Sequence, residues 1–144
     1  VDITASVPSR VRLSGLADIN LLNQDPGSDA LSNQDVCVYS NTPTSGYSIT
    51  ATGDGASNAF TLASGGDTVS YSVEWAGTTG QTAGTALSAG VAQTGFTSGA
   101  TQQLCNAGPS NSASLVVKIA SADLSTMKAS QNYTGTLTLL VSPE

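Results

Sequence analysis

The sequence predicts an all-β fold, a sandwich of short antiparallel strands, and three observations predict it. Apolar side chains recur at alternate positions in segment after segment, the period of a strand with one buried face. Turn signals rich in Gly, Asn, Asp and Pro separate those segments. No stretch carries the 3.6-residue apolar period of an amphipathic helix of any length.

The first alternating segment is the longest: Val1, Ile3, Ala5 and Val7, followed on the same parity by Ser9, Val11 and Leu13. Thirteen residues are long for one strand, and Pro8 has no N–H to give a ladder, so two strands are predicted to meet at residues 8–10. A polar loop is expected over residues 23–35, with Pro26-Gly27 as its turn. Strands resume at Val36-Cys37-Val38-Tyr39, break over the Pro43-containing run from Asn41 to Gly46, and continue through Tyr47, Ile49 and Ala51. Phe60 and Leu62 mark a short strand. The turn Ser64-Gly65-Gly66-Asp67 then leads into Val69-Ser-Tyr-Ser-Val-Glu-Trp75, the clearest alternation in the chain. Weak strand signals surround Leu87, Val91 and Phe96. Leu115, Val117 and Ile119 form another strand, followed by at most one helical turn near Ser121. Tyr133, Gly135, Leu137, Leu139 and Val141 share one face of the last strand, which Pro143 ends. About seven short strands at such spacing predict a β-sandwich of the immunoglobulin-like kind.

Composition bounds the function. The chain has 144 residues, room for one ordinary domain, and 30 of them are Val, Ile, Leu or Phe. That is just enough large apolar side chain for a core, beside 21 Ser, 18 Thr and 15 Gly. There is no His, which removes the commonest general base and every His-ligated metal site. A net charge of −6 with four scattered cations, Arg10, Arg12, Lys118 and Lys128, offers no basic patch for nucleic acid. No apolar run approaches the length of a membrane-spanning helix. The first residue is Val rather than Met and no charged-then-apolar leader follows, as in a processed mature form or a trimmed chain. Cys37 and Cys105 fit one disulfide in an oxidising compartment, or two buried free thiols.

Several candidate sites have plainer readings. Ser125-Thr-Met-Lys128 has the Ser-x-x-Lys spacing of serine acyl-enzymes but lacks their companion motifs, and is expected by chance in a Ser-rich chain. Asn23, Asp25, Asp29 and Asp35 could offer oxygens to Ca²⁺, yet their spacing is irregular and Asp and Asn also serve turns. Trp75 could be a sugar-stacking platform, but it shares a face with Val69, Tyr71 and Val73, which predicts core packing. Asn132-Tyr133-Thr134 is a formal glycosylation acceptor at the start of a predicted buried strand, and no role follows from it.

One feature exceeds an isolated sandwich. Residues 1–7 are patterned for burial, lie at a terminus and are set apart by Pro8. They can pair with their own sheet or leave the domain and complete a neighbour's sheet by strand addition. A head-to-tail contact of the second kind does not close, and therefore propagates into a filament.

Taken together, Ile3-Thr-Ala-Ser-Val-Pro-Ser-Arg-Val11, Tyr47-Ser-Ile-Thr-Ala-Thr-Gly-Asp-Gly55 with Val69–Trp75, and Tyr133-Thr-Gly-Thr-Leu-Thr-Leu-Leu-Val141 resemble the spore coat protein U-like domains and archaic chaperone-usher pilins. The resemblance covers most of the chain. It implies an incomplete immunoglobulin-like sandwich that lacks its last strand, with residues 1–9 as donor strand and residues 10–144 as pilin domain. Leu137, Leu139 and Val141 would line the vacant groove, and Val1, Ile3, Ala5 and Val7 of the next subunit would fill it. The implied partners are identical subunits, a periplasmic chaperone and an outer-membrane usher, with no cofactor and no catalysis. The implied location is a cell-surface pilus reached through the periplasm, serving adhesion or biofilm formation. Two departures stand out. Many relatives place a Cys where this chain has Val11, so a Cys37–Cys105 bridge would be a different one, and the chain ends Ser-Pro-Glu where pilins often carry an apolar residue. The alternative function is a secreted monomeric sandwich that binds sugar or a surface partner through exposed aromatics.

Overall fold

The computed structural model describes residues 1–106 and 111–144. Ten strands occupy them: β1 (Val11–Ser14), β2 (Ala30–Ser40), β3 (Gly46–Gly53), β4 (Thr61–Ser64), β5 (Asp67–Ser70), β6 (Ser72–Ala76), β7 (Thr85–Ala86), β8 (Ala92–Thr97), β9 (Ala113–Ile119) and β10 (Leu137–Pro143). One helical turn, α1 (Ser121–Leu124), follows β9. One sheet has the order β1-β2-β9-β6-β7, a second β10-β3-β8, and β4-β5 form a separate hairpin. The pairings are antiparallel. The protein is an all-β sandwich, as its alternation predicts.

The core lies between the two larger sheets. Val36 and Val38 of β2, Val73 and Trp75 of β6, and Leu115, Val117 and Ile119 of β9 meet Tyr47, Ile49 and Ala51 of β3. Each set follows the two-residue period that turns alternate side chains inward. Trp75 and Tyr47 are fully buried, and the indole Nε1–H donates to the Tyr47 hydroxyl at 3.0 Å. This bond satisfies the one polar atom of a buried indole. Burial raises the Tyr47 phenol pKa, an effect partly offset by the bond from Trp75. Phe96 of β8 stacks on Tyr47 at a centroid distance of 5.6 Å.

Three elements differ from expectation. The last strand, expected to run from Tyr133, begins at Leu137, because the chain before it turns away from β3 and Thr134 bridges to Ala63 instead. Residues 30–35, expected to be loop, form the first half of β2 and pair with residues 114–119 of β9. Four of their six side chains are polar, and the more buried positions hold Ala30, Ser32 and Gln34, so the apolar alternation that marks other strands is missing although the backbone ladder is complete. The alternating run Val69–Trp75 is two strands. It breaks at Tyr71, where the backbone N–H donates to the Phe60 carbonyl, so that β5 pairs with β4 and β6 with β9. The side chains of Val69, Tyr71, Val73 and Trp75 still share one buried face, which is why the sequence reads as a single strand.

Cys37 on β2 is bonded to Cys105, with Cα atoms 5.9 Å apart, which decides between the two readings of the thiols. The closed loop of 68 residues stabilises the fold by about 4 kcal/mol in the chain-entropy model.

Candidate functional site: an apolar groove beside an edge strand

β10 pairs with β3 along its length and is an edge strand of its sheet. Beside it opens a groove of about 1030 Å³. Leu115, Val117 and Ile119 of β9 lie along its floor, and Leu137 and Leu139 of β10 line one side. Opposite them run residues 16–24, an apolar segment that forms no strand; Ile19 and Leu21 lean onto the core while Leu16 and Leu22 stay exposed. The Gln34 side chain holds this segment by its Ala17 peptide: the Ala17 N–H donates to Oε1 at 2.8 Å, and Nε2 donates to the Ala17 carbonyl at 3.1 Å. A side-chain amide thus replaces the strand pairing that ends at Ser14.

Residues 127–136 also line the groove. Asp54 accepts a hydrogen bond from the Thr136 N–H at 2.8 Å, and Ala63 and Thr134 form a bridge. Gly135 sits so close to the Thr61 carbonyl that a Cβ would lie 2.8 Å from it, so this passage admits no larger residue. Lys128 is paired with Asp67 at 2.6 Å, which raises the lysine pKa, and its backbone N–H donates to the Tyr133 hydroxyl.

Of the predicted groove residues, Leu137 and Leu139 line it, whereas Val141 lies outside the lining, half-buried against the core opposite Ile49. The predicted donor residues Val1, Ile3, Ala5 and Val7 are all exposed and belong to no strand. Ile3 and Val7 retain 89% and 81% of their full exposure, so this apolar segment is unburied in the free chain. Residues 1–9 leave from the start of β1, while the groove begins where the chain passes the end of β1, so the strand separates the two.

The other candidates disperse. Ser125 Oγ donates to the Ser121 carbonyl at 2.8 Å while Lys128 is engaged with Asp67, so the Ser-x-x-Lys pair is not assembled. Asp25 accepts from the Gly27 N–H, Asp29 from the Ser121 N–H, and Asp35 from Ser114 Oγ and the Gly80 N–H, each in a separate structural bond. Among the described residues no three His, Cys, Asp or Glu side chains gather as a metal site, and no helix is long and apolar enough to cross a membrane. Trp75 is buried and unavailable for stacking on a sugar. Sequence reading missed Ile19, Leu21 and Gln34; the apolar residues of segment 16–22 were visible, but their spacing fits no strand.

No family model matches the chain, and no curated protein does. Among solved structures the fold is similar to a chain from a "chaperone-tip adhesin complex" described as "vital for synergistic activation of CFA/I fimbriae biogenesis", with a TM-score of 0.60 and 18% identity. The alignment covers 94% of this chain and 41% of that one, so this chain spans about two fifths of the length of its structural neighbour. At that identity the likeness concerns the fold.

Proposed function

We propose that the protein is a structural subunit of a surface fimbria, polymerising head-to-tail by donor-strand complementation. Residues 1–7 of one copy lie along β10 of the next, with Val1, Ile3, Ala5 and Val7 turned into the groove. The observation that carries this reading is the presence of two features at opposite ends of β1: an exposed apolar strand pattern, and an open groove floored by Leu115, Val117 and Ile119 beside an edge strand. Seven residues extend over about 23 Å, and β10 has seven residues, of which Leu137 and Leu139 border the groove. Main-chain bonds to the β10 edge supply affinity, and alternate side chains in the groove supply register.

The resemblance to archaic pilins and the fimbrial context of the structural neighbour support this reading. They extend it to a periplasmic chaperone that covers the groove before assembly, an outer-membrane usher, and an extracellular homopolymer that serves adhesion or biofilm formation without catalysis. The alternative of a sugar-binding monomer loses its best candidate with the burial of Trp75.

Deletion of residues 1–7 tests the proposal. Co-expressed with its chaperone, the truncated chain is expected to accumulate as a chaperone-bound monomer and to give no filaments by electron microscopy. Filaments indistinguishable from those of the full chain would refute it.

A further inference from the structure

We propose that Asn41 is a positioning residue that fixes the angle at which residues 1–8 leave the sandwich, and with it the angle between successive subunits. The inference rests on the donor-strand reading for its consequence, but its geometry lies within one chain. The β1–β2 ladder ends at the pair Val11 and Ser40. Asn41 carries it one step further, its backbone N–H donating to the Arg10 carbonyl at 3.1 Å. Its side chain then clasps the two peptides that flank Ser9: Oδ1 accepts the Arg10 N–H at 2.6 Å, and Nδ2 donates to the Pro8 carbonyl at 2.9 Å.

A primary amide is suited to this position, because it offers a donor and an acceptor in one plane to a carbonyl and an N–H of the same strand. Pro8 contributes a fixed φ and no N–H of its own. Among the described residues, residues 1–7 make no hydrogen bond to the rest of the chain, so the Asn41 clasp is the last anchor before the exposed segment. A brace lies beside it. Arg10 Nη1 donates to Gln103 Oε1 at 3.2 Å, and Gln103 is two residues from Cys105, which the disulfide ties to β2. Val7, Pro8, Tyr39 and Gln103 surround a small cavity of about 350 Å³ at this joint, so the joint has room to bend once the clasp is released.

The test compares filaments of wild type, Asn41→Ala and Asn41→Asp. Asn41→Ala keeps the backbone bond to Arg10 and loses both side-chain bonds; Asn41→Asp keeps the acceptor and loses the donor to Pro8. Electron micrographs of Asn41→Ala filaments are expected to show a broadened distribution of angles between neighbouring subunits and a severalfold shorter persistence length, with Asn41→Asp between the two. Distributions unchanged from wild type in both variants would overturn the clamp while leaving donor-strand assembly intact. If the wild-type chain forms no filament, the donor reading fails, and the clamp is judged on the monomer by amide exchange at Arg10. Exchange faster by about fivefold in Asn41→Ala supports it, as expected for one lost hydrogen bond; unchanged exchange overturns it.

Discussion

Ile3 gives the sharpest separation between a residue that stabilises its own domain and one that serves a neighbour. It keeps 89% of its exposure in the free chain, so truncation to Ala removes almost no burial there. If it enters the groove of another copy, Ile3→Ala withdraws three buried carbons, about 2 kcal/mol at the usual value per methylene. That loss corresponds to about thirtyfold in affinity. A synthetic peptide of residues 1–9 is expected to inhibit assembly of the full chain by competing for the groove, and the Ile3→Ala peptide to require about thirty times the concentration. In parallel, thermal unfolding of the full-length Ile3→Ala monomer is expected to match wild type. Were Ile3 packed on its own sandwich, the same loss would lower the melting temperature by roughly 5 °C. Equal inhibition by the two peptides, or a melting temperature lowered by that much, refutes the reasoning.

Two further outcomes follow from the interior and the surface. Tyr47→Phe leaves the indole N–H of Trp75 buried without an acceptor, so urea unfolding followed by the fluorescence of this single Trp is expected to show a loss of about 1–3 kcal/mol at an unchanged slope. Asp35 accepts from Ser114 Oγ at 2.6 Å and from the Gly80 N–H at 2.7 Å, and these bonds hold its pKa below the ordinary carboxylate value. Its contribution is therefore complete above the unfolded value of about 3.9 and disappears as pH falls through the lower folded value. Unfolding measured between pH 6 and 2 is accordingly expected to show a shallower acid loss for Asp35→Asn, and identical slopes would contradict it.

The parts of the fold that the sequence makes legible are those in which one face is apolar and the other polar. The runs around Val36, Tyr47, Leu115 and Leu137 read directly as strands and lie where alternation puts them. Residues 30–35 are illegible for the converse reason: their strand is held by backbone bonds to β9, and their side chains carry no pattern. The break at Tyr71 is hidden because a strand can change partner while its side chains keep the same face. The groove is half legible. Leu137 and Leu139 announce themselves by parity, whereas the opposite side depends on how Gln34 holds Ala17, a contact between residues 17 positions apart that no local spacing encodes.

The floor of the groove is built from Leu115, Val117 and Ile119, which are also the centre of the core. Occupancy and folding therefore draw on the same side chains, and a molecule seated there binds the native state and not the unfolded one. By mass action, an occupant at a hundred times its dissociation constant adds about 2.7 kcal/mol to the free energy of unfolding. The melting temperature of this chain thus becomes a function of what surrounds it: lowest for the chain alone in dilute solution, and rising with the concentration of anything that fits against β10.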